Sequence, residues 1–154
     1  MSYIGTARFN KDTWYSNCRW RENNKWTGCI YGSPTLIKDT IPIKSNVYIL
    51  EMNNDDNTIE GIGLIRNTIE KKIQYKIYDW GNYNRYVYKG IYRVDKSQFN
   101  TQEKKVIEIL EILLFKGSRH LKRGQGIIFL PEWIINNKHI NFIKLIKSMF
   151  KSRF

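Results

Sequence analysis

Hydrophobic positions follow two rhythms along this chain, one with the period of a strand and one with the period of a helix. The first dominates residues 45–94. Ser45–Met52 (SNVYILEM) is dense in β-branched and aromatic residues and predicts a strand. Asn53–Asn57 (NNDDN) predicts a turn, because Asn and Asp side chains bond their own backbone and tolerate left-handed dihedrals. Thr58–Ile65 (TIEGIGLI) predicts a second strand, so the two form a hairpin. Gly61 and Gly63 inside it point to a bulge or a close backbone approach. Lys72–Tyr78 alternates and reads as a third strand, and Gly81–Asn84 as a loop. Tyr86–Val94 reads as a fourth strand bent at Gly90, after which Asp95–Phe99 turns the chain. The first forty residues show no sustained rhythm and read as irregular, with a turn at Gly32-Ser33-Pro34.

The helical rhythm begins at Asn100. This residue serves as an N-cap with Glu103 three positions on, a variant of the capping box. Val106, Ile107, Leu110, Leu113 and Leu114 repeat at helical spacing and predict a core-facing stripe, with Gly117 as the stop. Glu103, Glu108 and Glu111 are then expected in solvent. Gly126–Leu130 reads as a closing strand, and Pro131-Glu132-Trp133 as the start of a short helical turn. His139–Phe154 predicts an amphipathic basic helix with Phe142, Ile143, Ile146, Met149 and Phe150 on one face, which would dock on the domain, lie on a membrane surface or touch nucleic acid. No linker, repeat or low-complexity tract divides the 154 residues, so a single domain, 1–154, is expected.

Charge changes the picture from fold to partner. Lys and Arg number 26 against 14 Asp and Glu, a net charge of +12. From Lys116 onward nine basic residues face Glu132 alone, so the last quarter holds most of the imbalance. Such an excess favours an anionic partner. Aromatic residues make up 14 % of the chain, with five Trp and ten Tyr. Cations that track phosphates and flat rings that stack bases are the mixture used by single-stranded nucleic-acid binders.

Other chemistry is sparse. Cys18 and Cys29 form no CxxC, and His120 and His139 lie far from both, so no metal site is expected. There is no Walker loop, no GxGxxG after a strand and no GxSxG elbow, so neither a cofactor nor a catalytic residue is assigned. With no apolar run long enough to span a bilayer, the expected protein is soluble and intracellular, without integral membrane association.

The densest functional signal is Lys116–Gly126 (KGSRHLKRGQG). It carries Lys116, Arg119, His120, Lys122 and Arg123 without an acid, and Gly117, Gly124 and Gly126 let the backbone approach a ligand. It is expected to cradle phosphates, with Arg85 and Lys89 in support. Trp80, between a strand and a Gly-Asn loop, is placed to present a stacking ring, with Tyr83 beside it. Trp14 and Trp133 are expected in the core.

The segment Val47–Ile65, with Gly61-Ile62-Gly63 in place of a small-residue motif, resembles the hairpin of PUA-like domains of the YTH and EVE branches. Trp20 and Trp26 ahead of it match the Trp-bearing segment of the YTH branch, and the likeness covers residues 14 to 95. The resemblance implies an α+β fold: a small, strongly bent β-barrel or half-barrel flanked by helices. It also implies a groove that reads nucleic acid, RNA more than duplex DNA, through a flipped base that can carry a modification. YTH proteins enclose N6-methyladenine in an aromatic cage, and modified DNA bases are proposed targets of EVE-like domains. One of Trp20 or Trp26 and then Trp80 would be the cage walls. The 116–126 loop is similar to sequences in uncharacterised proteins of large DNA viruses, which extends the expected location to a virion or to host cytoplasm and nucleus. Two alternatives stand beside this reading: a virion assembly protein docking by its basic surface, and an enzyme acting on a modified nucleoside through His120 and an acid.

Overall fold

The computed structural model describes residues 1–71 and 73–154. The hairpin is its centre. β3 (Asn46–Asn53) and β4 (Thr58–Arg66) pair antiparallel, Val47 opposite Ile65 and Asn53 opposite Thr58. Asn53 Oδ1 accepts from the N–H groups of Asp55 and Asp56 at 3.1 and 3.2 Å, and Asn57 adopts φ +55°, the turn chemistry expected of an Asn/Asp run. The register slips between Leu50 and Met52, which places a bulge opposite Glu51 beside Gly61.

β1 (Ser2–Phe9) lies parallel to β3, from Ser2 opposite Asn46 to Phe9 opposite Asn53. With β6 (Tyr92–Asp95) on β4 and β7 (Ile128–Phe129) on β1, the five-stranded sheet runs β6-β4-β3-β1-β7. A second sheet pairs β2 (Cys29–Ser33) with β5 (Tyr86–Gly90). Both faces of β3 are covered, which explains its nearly unbroken apolar run. Tyr48, Leu50 and Met52 face α2 (Thr101–Phe115), the short α3 (Glu132–Ile135) and α4 (Phe142–Lys151). Val47 and Ile49 face the β2–β5 sheet and the side of α1 (Lys11–Asn23).

Several expectations are revised. The first forty residues are regular, comprising β1, α1 and β2. α1 lacks an apolar stripe. Its contacts are the edge-on packing of Trp14 against Phe9 at 5.1 Å and the buried Asn17, whose Nδ2 donates to the Ile30 carbonyl at 2.7 Å and to the Tyr78 hydroxyl at 3.0 Å. No strand forms over residues 73–78; Lys72, where that strand was to begin, lies outside the described residues. Asn84 ties this segment down instead, accepting from the Ile77 and Tyr78 N–H groups and donating to the Tyr78 carbonyl. The expected fourth strand breaks at Gly90 and changes sheets. A Cβ at Gly90 would collide with the Leu64 carbonyl, so the two sheets touch there without pairing. Neither sheet closes on itself among the described residues, so the fold is an α+β arrangement of two open sheets and not a closed barrel.

The α2 capping box forms as expected, with Asn100 and Glu103 exchanging bonds at 2.8 Å. Glu103 is nevertheless 9 % exposed, because Arg153 from the end of the chain grips it at 2.6 Å. Glu111 also leaves solvent, accepting from the Ile59 N–H at 2.8 Å; Glu108 stays exposed. Trp133 is exposed rather than in the core, and α4 docks through Phe142, Ile146, Met149 and Phe150. Among the described residues no helix is long and apolar enough to cross a membrane.

Candidate nucleic-acid interface

The parallel pairing of β1 and β3 brings the β1–α1 junction beside the hairpin turn. The Asn54 N–H donates to the Phe9 carbonyl at 2.8 Å, and the Lys11 N–H donates to Asp55 at 2.7 Å. Asn10 caps α1, its Oδ1 accepting from the Thr13 N–H at 2.9 Å while Thr13 Oγ1 accepts from the Asn10 N–H at 3.0 Å. The first turn of α1 is thereby fixed against the turn of the hairpin.

The basic glycine loop closes over this junction. Asn54 Nδ2 donates to the Lys122 carbonyl at 2.8 Å. Arg8 reaches the same loop, its guanidinium donating to the carbonyls of Leu121 and Gly126 and, at 2.8 Å, to Thr6 Oγ1. Gly124 and Gly126 have φ of +102° and +74°, and a Cβ at Gly126 would press on Ser33 Oγ at 2.5 Å. The glycines are therefore required by both backbone conformation and space. Burial lowers the Arg8 guanidinium to about 10, which leaves it a cation at neutral pH.

Between junction and loop lies a cavity of about 220 Å³. Phe9, Tyr31, Tyr78 and Tyr83 supply its rings; Arg8, Asn10, Thr13, Asn54, Lys122 and Gln125 supply its polar groups. Its volume is below the roughly 300–1,000 Å³ of drug-sized sites and suits one planar ring system. Arg8 Nε and Asn54 Oδ1 are buried without a hydrogen-bond partner among the described residues, and both residues border this cavity.

A buried charge network holds the ring of Tyr31. Its hydroxyl donates to Glu51 Oε2 at 2.6 Å, and Arg93 donates to the same carboxylate through Nε and Nη2 at 3.0 and 2.6 Å. Glu51 is 1 % exposed, and that fork is its buried counter-charge. Burial alone would lower the Arg93 value; Glu51 outweighs it and raises it, so the guanidinium stays charged. Burial, reinforced by Glu51, pushes Tyr31 well above the ordinary tyrosine range. The glycines of β4 make room for this network: a Cβ at Gly61 would meet Arg93 Nη2 at 2.6 Å, and one at Gly63 would land on the Tyr31 hydroxyl. The two glycines of Gly61-Ile62-Gly63 are thus a packing requirement of the buried charge network.

The residues singled out in the sequence divide among several places. Tyr83 and Lys122 line the cavity. Trp80 is 55 % exposed and packs edge-on against Tyr83 at 4.6 Å. Trp20 and Trp26 border a separate open hollow with Tyr75 and Lys89, so they and Trp80 do not enclose one cage. Trp26 is pinned there by its indole N–H, which donates to the Cys29 carbonyl at 3.1 Å. Arg85 lies over Tyr86 at 5.2 Å. Arg119 lies over Trp133 at 5.2 Å, apart from the cavity lining. Lys116 and Arg123 are exposed. His120 Nδ1 accepts from the Lys122 N–H at 3.2 Å, which makes it a loop brace. Sequence reasoning missed Arg8, Asn10, Thr13, Tyr31, Asn54 and Tyr78. The Asn10-x-x-Thr13 capping pattern was the one available signal, since it marks where β1 must end. No family model, curated protein or solved structure matches the chain.

Proposed function

We propose that this chain is a PUA-like nucleic-acid-binding module that takes one extruded base into the cavity at the β1–α1 junction. The observation that carries the reading is the pairing of a ring-lined cavity with a cationic glycine loop. Tyr78 and Tyr83 line the cavity with rings against which a base would pack, and Arg8 and Lys122 line it with the positive charge that would favour a phosphate. A base enters only after leaving its stack, so RNA loops and single strands are favoured over duplex DNA, whose bases must first be unpaired. A modified base fits the same chemistry. Lys116 and Arg123, exposed on the loop, add charge outside the cavity.

Filter binding of single-stranded RNA across a salt series tests this reading. Binding should weaken steeply with salt, because each neutralised phosphate releases counterions. Lys122→Ala should reduce the logarithmic salt slope by about 1, and Tyr83→Ala should cost about 1–3 kcal/mol as the loss of one stacked base. Salt-independent binding, or a folded Tyr83→Ala variant with unchanged affinity, would refute it.

A further inference from the structure

The Lys89 ammonium sits 4.0 Å from the ring centre of Trp26, 5.5 Å from that of Tyr75 and 5.8 Å from that of Trp20. It forms no ion pair among the described residues. A lysine held by ring faces and by no carboxylate keeps its charge available to an arriving anion. Arg19 and Lys76 border the same hollow, with Asp79 as its acid.

This hollow is not isolated. Tyr75, Lys76 and Asp79 also line a neighbouring one, where they are joined by Lys71, Arg85 and Glu70. That neighbour shares Tyr78 with the cavity at the β1–α1 junction. Residues 73–85 thus contribute lining to all three concavities. Arg19, Lys71, Lys76, Arg85 and Lys89 line the two outer hollows against Glu70 and Asp79, and none of the five is ion-paired among the described residues. Trp80 is exposed on the same segment. Long connections with exposed rings and no strand of their own are where binding groups concentrate.

We propose that this path is a second binding element that carries the nucleotides flanking the one in the cavity. It rests on the reading of the cavity as a base site. The strand leaves the cavity past Tyr78, lays a base on Trp80, and reaches the Trp20–Trp26–Tyr75 hollow, with Arg85, Lys76 and Lys89 against its phosphates. Only a single strand offers base faces and phosphates together in this way. The same path would hold an acidic peptide by charge alone, without engaging the rings.

The test is a length series of oligouridylates, from the mononucleotide to about 16 nucleotides, titrated against the whole protein and against a Tyr75→Ala/Lys89→Gln variant. Affinity should rise with length, and the variant should lose roughly tenfold or more of that gain while binding the mononucleotide as before. Lys76→Glu, an exposed charge reversal, gives a second readout should the double variant fold poorly; it should weaken the long oligomers alone. A length gain untouched by these substitutions overturns the proposal, as does displacement of the oligomers by polyglutamate at equal charge concentration. Mononucleotide binding with no length gain overturns the path and leaves the cavity standing. Failure of the mononucleotide and every oligomer to bind overturns both.

Discussion

The Tyr31 hydroxyl donates to Glu51 at 2.6 Å while the Tyr31 residue borders the cavity, so one buried side chain joins the charge network to the cavity wall. The hydroxyl serves the network and the ring serves the wall. Tyr31→Phe separates the two. It removes a buried donor to a charged acceptor and should lower unfolding free energy by about 1–3 kcal/mol. Affinity for single-stranded RNA should be retained. Urea denaturation with parallel filter binding reads both; an unchanged urea midpoint would show that Arg93 alone satisfies Glu51.

Glycines should rank by the space around them. Gly63→Ala drives a methyl group into the Tyr31 hydroxyl and within 2.6 Å of Cys29, whereas Gly81→Ala meets nothing within 4 Å. The first should cost about 1–3 kcal/mol by overpacking, and the second should leave the urea midpoint nearly unmoved. Equal midpoints for the two variants would contradict the packing of β4 against β2.

The two cysteines should differ in reactivity. Burial, followed by the neighbouring Glu51, pushes the Cys29 thiol up to about 12, so almost no thiolate exists at neutral pH. Cys18 is half-buried, and its thiol is raised as well, chiefly by burial. A thiol reagent at neutral pH should label Cys18 slowly and Cys29 only after urea unfolding. Labelling of Cys29 in the folded protein would contradict the packing of β2 against β4 that buries it.

Acid should loosen the C-terminus first. The bond from Arg153 holds the Glu103 carboxyl below the usual range. Because the folded value lies under the unfolded one, the pair adds stability above the ordinary glutamate value of about 4.3. That stability is lost as pH falls through the folded value. Glu103→Gln keeps an acceptor for the capping box but loses the charge. Its stability should fall less than that of the wild type as pH drops below about 4. Parallel stability curves would show that the ion pair does not contribute.

Local signals were legible where the backbone dictates structure. The Asn53–Asn57 turn, the strands around it and the Asn100–Glu103 cap each depend on residues adjacent in sequence, and each formed in place. α1 was hidden because its buried face is made of Trp14 and Asn17 in place of an aliphatic stripe. Residues 73–78 alternate without pairing, since Tyr75 packs on Trp20 at 5.6 Å and Asn84 takes the Ile77 and Tyr78 N–H groups that a ladder would have used. Of the residues that line the candidate cavity, the sequence singled out Lys122, Gly124, Gly126 and Tyr83. The cavity itself was not legible, because Arg8, Tyr31, Asn54 and Tyr78 come from four separate segments that only the tertiary fold brings together.

The most direct test of the cavity as a base site is an NMR titration of isotope-labelled protein with a short single-stranded RNA. The largest amide shifts should fall on Asn10, Gly32, Gly124 and Gly126, which come from three segments that all line the cavity. Shifts confined to the basic face of α4, at Lys144, Lys147 and Lys151, with those four amides unmoved, would contradict it and reduce the binding to attraction by a charged surface.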